Sequence, residues 1–125
     1  MPTQSQHEAQ ARRNEMFFQS LDKTVSVNRE WIVTAAFYAV LHWIEALFDY
    51  QGRLHFKEHE LRNRAVRRLG LPIANEYFRL YTASRRGRYE LYRFDQSEVD
   101  DQIHRNYIPI RNYALSVLHP PGAIP

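Results

Sequence analysis

Hydrophobic positions along most of the chain recur at intervals of three or four residues, the spacing of amphipathic helices. Only Pro72 and Pro109 interrupt the body of the chain, and the whole sequence contains four glycines. No stretch alternates between apolar and polar residues in the manner of a half-buried strand. The pattern predicts an all-α protein, a single domain over residues 1–125 that forms an antiparallel up-and-down bundle of about five helices.

Capping signals divide the chain into five predicted helices. These helices span approximately residues 7–22, 28–50, 57–69, 72–86 and 95–118. Asn28 is expected to cap the second helix and Gly70 to end the third. Asp95 and Glu98 should form a capping box for the fifth helix, in which Pro109 should kink or interrupt the hydrogen-bond ladder.

The second predicted helix is apolar on nearly all sides, Trp31 included, and should be the most buried element. The two ends of the chain, residues 1–6 and 120–125, are expected to be flexible tails. On the first helix, the positions expected to face inward are Met16, Phe17 and Leu21.

One line of polar side chains crosses the apolar second helix. Its members are three or four residues apart and share one face: Thr34, Tyr38, His42, Glu45 and Asp49. His42 and Glu45 are expected either to pair with each other or a neighbouring helix, or to face a cleft or subunit interface. A di-metal bundle site would need Glu-x-x-His motifs facing inward on other helices, and the sequence has none there.

Basic residues are concentrated in the middle of a chain whose net charge is +3. Between residues 51 and 93, eleven Lys and Arg stand against four Glu. Arginines neutralise phosphates and aromatic rings stack on unpaired bases. The candidate nucleic-acid-binding residues are Arg62, Asn63, Arg85, Arg86, Arg88 and Tyr89. The alternative is plain packing, with the arginines bound to helix carbonyls or to Glu76 and Glu90.

The composition removes several classes of function. The sequence has no cysteine, which excludes disulfides, a thiolate zinc site and a cysteine nucleophile. Residues 1–13 lack the apolar segment of a signal peptide, and polar residues interrupt the longest apolar stretch. A cytoplasmic protein that does not enter a membrane is therefore expected.

Residues 51–70 contain two short motifs associated with catalysis. His55 to His59 match the His-x-x-Glu-His pattern of inverted zinc peptidases. Such an enzyme needs a third ligand and a polypeptide groove, and the surrounding sequence is basic, so no metal or other cofactor is expected.

Arg53 and His59 form an Arg-x5-His pair, the second motif. Histidine transfers protons near neutral pH and arginine holds phosphate, so His59 is the candidate general base and Arg53 the candidate phosphate ligand of a ribonuclease.

Three elements of the chain carry a family resemblance: AAFYAVLH in the second helix, HELRN in the third and SRRGRY in the fourth. With these elements, which lie within about residues 28–119, the chain resembles the small prokaryotic members of the HEPN superfamily. The residues that carry the likeness are Ala36, Phe37, Tyr38, Ala39, His42, His59, Arg62, Asn63, Ser84, Arg85, Arg88 and Tyr89.

The resemblance implies a helical bundle, often dimeric, that acts as a metal-independent endoribonuclease or RNA-binding module in toxin–antitoxin, phage-defence or RNA-processing systems. It implies an RNA or nucleotide ligand, a homodimer, and a cognate antitoxin or other protein partner. The family's signature is Arg-x4-6-His, whereas Arg111 and His119 have seven residues between them and only Arg53 with His59 is in range. His119 with Arg111, or His42, is the alternative working histidine. The alternative function is a non-catalytic module that binds a nucleotide or a protein through the same basic face.

Overall fold

The computed structural model describes residues 2–52 and 56–122, and helices account for most of them. No strand occurs in these two ranges. The last three elements follow one another without a break and form one rod, so the predicted all-α bundle of five rods is confirmed. The elements are α1 (Gln4–Gln19), α2 (Ser26–Gly52), α3 (His59–Arg68), α4 (Ala74–Tyr89), α5 (Gln96–Asp101), a π-helical segment (Gln102–Tyr107) and α6 (Ile108–Leu118).

The central helix is α2, as the sequence predicts. Phe37, Trp43 and Phe48 of this helix are completely buried, and α1, α4 and the last rod pack around it. Its 27 residues correspond to a length of about 40 Å. By length and composition α2 would also be sufficient to cross a membrane, but 72% of its most apolar window is buried inside the bundle.

The helices α1 and α2 run antiparallel. At one end of the pair, the backbone N–H of Gln4 donates a 3.0 Å hydrogen bond to Oδ2 of Asp49. One turn further along α1, His7 contacts His42. Low residue numbers on α1 therefore meet high numbers on α2, and this pairing forms the side of the bundle that contains the cleft described below.

Both predicted capping signals at the ends of later helices are confirmed. Gly70 follows α3 with a φ of +61°, the left-handed conformation that glycine adopts at least cost. Asp95 accepts a hydrogen bond from the N–H of Glu98, whose side chain accepts one from the N–H of Asp95. These reciprocal bonds satisfy two donors at the start of α5.

Several helices begin two or three residues from their approximate predicted starts. The helix α1 begins at Gln4, so residues 4–6 are helical rather than part of a flexible tail. Thr3 caps it, because Oγ1 of Thr3 accepts from the N–H of Gln6 and the Gln6 side chain accepts from the N–H of Thr3. The helix α2 begins two residues before Asn28, which donates instead to the carbonyl of Asp22. The helix α4 begins at 74, two residues after the predicted start, and α3 begins at 59 rather than 57.

The π-helical segment accommodates Pro109. A proline in a helix lacks the N–H donor, and its ring clashes with the carbonyl four residues earlier, here that of Arg105. The wider turns of Gln102–Tyr107 end two residues before this proline, which lies at the second position of α6. The predicted interruption of the ladder is therefore confirmed, and the helix continues beyond it.

The predicted inward face of α1 was wrong for two of its three residues. Met16 is 70% exposed and Phe17 is 50% exposed, whereas Leu21 is half-buried and packs against the core. Trp31 of α2, expected in the core, is 58% exposed. The inward positions of α1 combine polar and apolar residues, which hydrophobic periodicity alone does not detect. They are His7, Glu8, Ala11 and Phe18.

Candidate functional site

The polar stripe of α2 forms one wall of a cleft with a volume of about 800 Å³. Tyr38, His42 and Glu45 line it from α2, and His59 and Arg62 line it from α3. The cleft therefore unites side chains that the sequence assigned to separate motifs. Its remaining lining residues are Pro2, His7, Leu41, Phe56 and Lys57.

A buried ion pair joins the two walls of the cleft. Nε of Arg62 lies 2.8 Å from Oε1 of Glu45, and the two residues are 6% and 5% exposed. The same guanidinium donates to the carbonyl of Phe56 and to Nδ1 of His59. Both interpretations of the stripe therefore apply, because Glu45 pairs with a neighbouring helix and the stripe also faces a cleft.

The hydrogen bond from Arg62 determines how His59 carries its proton. A guanidinium can only donate, so Nδ1 of His59, 3.2 Å from Nη1 of Arg62, must accept. The neutral imidazole then carries its hydrogen on Nε2. Burial lowers the pKa of His59, and the nearby charges of Arg62, Arg88 and Arg85 lower it further. In this geometry His59 is a neutral hydrogen-bond donor, an arrangement that does not favour the predicted role of general base.

His42 contacts a second imidazole. Its Nδ1 atom lies 3.0 Å from Nδ1 of His7, so one ring must donate and the other must accept. Burial is the largest of the effects that lower the pKa of His42 to about 4, followed by the charges of His7 and Arg62. His42 is consequently neutral near pH 7. A neutral imidazole can use its second nitrogen either as acceptor or as donor.

Arginine and tyrosine side chains lie beside the cleft, and we call Tyr38, Arg85, Arg88 and Tyr89 the arginine–tyrosine patch. Nη1 of Arg88 donates a 2.8 Å hydrogen bond to the hydroxyl of Tyr38. The Arg88 guanidinium carbon is 5.0 Å from the ring centre of Tyr89, and that of Arg85 is 5.2 Å from the same ring.

No carboxylate within the described ranges forms an ion pair with Arg85 or Arg88. Aromatic rings and a hydroxyl hold these two guanidinium groups instead. Of the packing alternative, the bond to a helix carbonyl is observed for Arg88, whose Nε donates to the carbonyl of Ser84, whereas no pairing of these arginines with Glu76 or Glu90 is observed.

Two other predicted nucleic-acid-binding residues lie away from this patch. Arg86 stacks on Tyr92 at 4.0 Å and lines a separate cavity beside Gln102. Oδ1 of Asn63 accepts a 2.6 Å hydrogen bond from the hydroxyl of Tyr77, which ties α3 to α4. Burial raises the pKa of Tyr77, so this hydroxyl keeps its proton. The side-chain oxygen of Asn63 is therefore bonded to Tyr77 within the fold. Arg86 lies on a different surface from Arg85 and Arg88.

Arg53, the predicted partner of His59, lies outside the described residues, as does His55 of the His-x-x-Glu-His motif. The geometry of both motifs is therefore not described. Among the residues that are described, no group of three or more His, Asp or Glu side chains is arranged to hold a metal ion.

Arg111 and His119, the alternative catalytic pair, each bind a carboxylate of α1. Nη1 of Arg111 lies 2.8 Å from Oε1 of Glu15, and Nε2 of His119 lies 2.7 Å from Oε1 of Glu8. Glu8 and Glu15 are two helical turns apart, about 10.5 Å along the axis. The structure therefore ties Arg111 and His119 to two separate points of α1.

The sequence interpretation did not include His7 in the site. His7 lies four residues before Ala11 and eleven before Phe18, a spacing that puts all three on one helix face. This spacing could have identified His7 as an inward-facing residue. The sequence prediction instead places residues 1–6 in a flexible tail and begins the first helix at His7.

Comparison with known proteins leaves the family open. No protein-family model matches the chain, and no curated protein and no solved structure gives a significant match. The HEPN resemblance therefore stays a prediction.

Proposed function

We propose that this protein binds RNA at the cleft, with the arginine–tyrosine patch as the contact for the phosphate backbone and neighbouring bases. The observation that carries the proposal is the pair of guanidinium groups, Arg85 and Arg88, stacked beside exposed tyrosine rings without a carboxylate partner in the described ranges. Tyr89 is 65% exposed and Tyr38 is 37% exposed. Cations beside accessible rings are the combination by which proteins hold single-stranded nucleic acid.

The charges of the cleft favour an anionic ligand at this patch. Glu45 compensates the charge of Arg62, whereas Arg85 and Arg88 have no such compensation in the described part of the chain. Arg88 uses Nη1 for Tyr38 and Nε for the carbonyl of Ser84, which leaves further N–H groups for phosphate oxygens. A neutral His59 can add the donor on Nε2.

The test is the affinity for a fluorescently labelled single-stranded RNA, measured by anisotropy. Arg85→Glu and Arg88→Glu should each weaken binding by at least about tenfold, because each removes a phosphate contact and introduces repulsion. Arg86→Glu is the matched control, since it makes the same charge change on the same helix but on another face. Equal losses for all three variants would show that the patch does not bind the RNA.

Metal-independent cleavage at the same cleft is the second candidate function. Two imidazoles that are neutral near pH 7, His42 and His59, line one cleft beside Arg62. His42 would accept the proton of the attacking 2′-hydroxyl, the neutral His59 would donate a hydrogen bond from Nε2 to a phosphate oxygen, and a water molecule would protonate the leaving 5′ oxygen.

Cleavage is tested by incubating labelled RNA with EDTA and looking for products that end in a 2′,3′-cyclic phosphate. His42→Asn and His59→Asn should each abolish cleavage and reduce RNA affinity far less than Arg85→Glu or Arg88→Glu does. His104→Asn, at an exposed histidine of the π-helical segment, serves as control. If the unaltered protein does not cleave RNA, the cleavage proposal is wrong and only RNA binding remains as the proposed function.

The HEPN resemblance supports a cytoplasmic homodimer in a toxin–antitoxin or phage-defence system, with a cognate antitoxin or another protein as partner. Sedimentation at micromolar concentration should then give about twice the chain mass of 15.0 kDa. A monomer at these concentrations would argue against this part of the proposal.

A further inference from the structure

A second, smaller depression lies between α1 and α2, and we call it the α1–α2 groove. It has a volume of about 360 Å³ and is lined by the aromatic rings of Phe17, Trp31 and Tyr38 and by the amides of Gln10 and Asn14. We propose that the α1–α2 groove is a nucleobase subsite, which stacks an unpaired base of the RNA strand whose phosphates contact the arginine–tyrosine patch. This inference rests on the proposed RNA-binding function.

The aromatic residues of the groove are exposed to solvent. Trp31 is 58% exposed, Phe17 is 50% exposed and Tyr38 is 37% exposed. Trp31 and Tyr38 lie two turns apart on one face of α2, and Phe17 approaches from α1. Each ring has an apolar face that water covers poorly, so a planar ligand that stacks on it gains free energy.

The polar part of the groove distinguishes a base from a purely apolar occupant. Nε2 of Gln10 donates a 3.0 Å hydrogen bond to Oδ1 of Asn14. This bond leaves the amide oxygen of Gln10 and the amide nitrogen of Asn14 without a partner among the described residues. One acceptor and one donor side by side match the mixed edge of a nucleobase. An apolar side chain of a second protein would leave both groups unsatisfied.

The groove is continuous with the cleft where RNA binding is proposed. Tyr38 and His42 line both cavities. The hydroxyl of Tyr38 also accepts the hydrogen bond from Arg88. A strand held by Arg88 can therefore pass over Tyr38 and place its next base against Trp31.

The protein contains its own reporter for this contact. Of its two tryptophans, Trp43 is completely buried and Trp31 is exposed, so quenching by a stacked base reports on Trp31. The probes are a ten-nucleotide uridine RNA and an abasic oligomer of equal length that keeps the phosphates. The RNA should quench the fluorescence on binding, and the abasic oligomer should bind without quenching.

Substitutions separate stacking from backbone binding. Trp31→Ala should weaken uridine RNA binding by about 5-fold to 150-fold, the range for one lost stacked base, and should leave abasic-oligomer affinity unchanged. Trp31→Phe keeps an aromatic face and should bind RNA nearly as well as the unaltered protein. Tyr50→Ala is the control, because Tyr50 is a 53% exposed aromatic residue about 28 Å further along α2.

Each contrary outcome overturns a defined claim. If RNA binding depends on Arg85 and Arg88 but Trp31→Ala behaves like Tyr50→Ala, the base subsite is wrong and the proposed function stands. If no RNA binds, both are wrong. If Trp31 in the free protein becomes less accessible to acrylamide as protein concentration rises, and Trp31→Ala abolishes a dimer seen by sedimentation, a second copy of the chain covers the groove.

Discussion

Replacing Glu45 with leucine would remove the carboxylate partner of a buried arginine. Arg62 is 6% exposed, and its Nε atom lies 2.8 Å from the Glu45 carboxylate. After the substitution, the guanidinium would keep its contacts with the carbonyl of Phe56 and with Nδ1 of His59, neither of which is anionic. Its positive charge would remain in a poorly solvated position, so the folded state should lose stability.

The expected loss is large for a single substitution. Removal of one member of a buried ion pair destabilises a protein by about 3–5 kcal/mol, against a total stability of about 5–15 kcal/mol. For a chain of this length each kcal/mol lowers Tm by about 3–5 °C. Glu45→Leu should therefore lower Tm by about 9–25 °C. Removing both charges in Glu45→Leu with Arg62→Met should restore most of this loss, because neither member of the pair is then left without the other.

Thermal and urea unfolding followed by circular dichroism would measure both variants. The control is Glu60→Leu, which removes the Glu60–Arg64 pair of α3, where both side chains are more than 60% exposed. This exposed pair should contribute less than about 0.5 kcal/mol. If Glu45→Leu costs no more than Glu60→Leu, or if the double variant is as unstable as Glu45→Leu, the buried pair does not hold α3 against α2.

Three further predictions concern the stability of the protein, and each depends on one residue. The pKa of His42 in the folded protein is about 4, below its usual value of 6.5. The contribution of this residue to the free energy of unfolding should therefore be complete above pH 6.5 and be lost as the pH falls towards 4. The loss should be roughly 1–2 kcal/mol, less than the full linkage value because the ring is partly solvated. His42→Asn should flatten this dependence in urea unfolding. Leu91, 85% exposed with a φ of 55°, should be replaceable by glycine with a gain of about 0.5–1 kcal/mol in the same assay. Asn63→Ala should cost about 1 kcal/mol through Tyr77 without changing RNA affinity.

The sequence predicts the polar wall of the cleft because its members follow the period of a helix. Tyr38, His42 and Glu45 recur at intervals of four and three residues on a helix that is otherwise apolar, so their common face could be identified without a structure. Capping at Asp95 and Gly70 was predictable for a similar reason, since local chemistry determines these ends.

The rest of the site depends on how helices meet, which periodicity does not describe. The apolar pair Met16 and Phe17 suggested the inward face of α1, but hydrogen bonds to other helices turn its polar residues inward. Arg85 and Arg86 look equivalent in the sequence, although successive residues of a helix point about 100° apart. Only the packing of α4 against α2 determines which of the two arginines lies beside the cleft.

The salt dependence of RNA binding tests the central claim most directly. For single strands, log K falls with log salt concentration by about 0.7 for each phosphate that a cation neutralises. If Arg85 and Arg88 each contact a phosphate, replacing both with glutamine should make the slope shallower by about 1.4, and Arg86→Gln should leave it unchanged. A slope that stays the same in the double variant, or that changes as much in Arg86→Gln, would contradict RNA binding at the arginine–tyrosine patch.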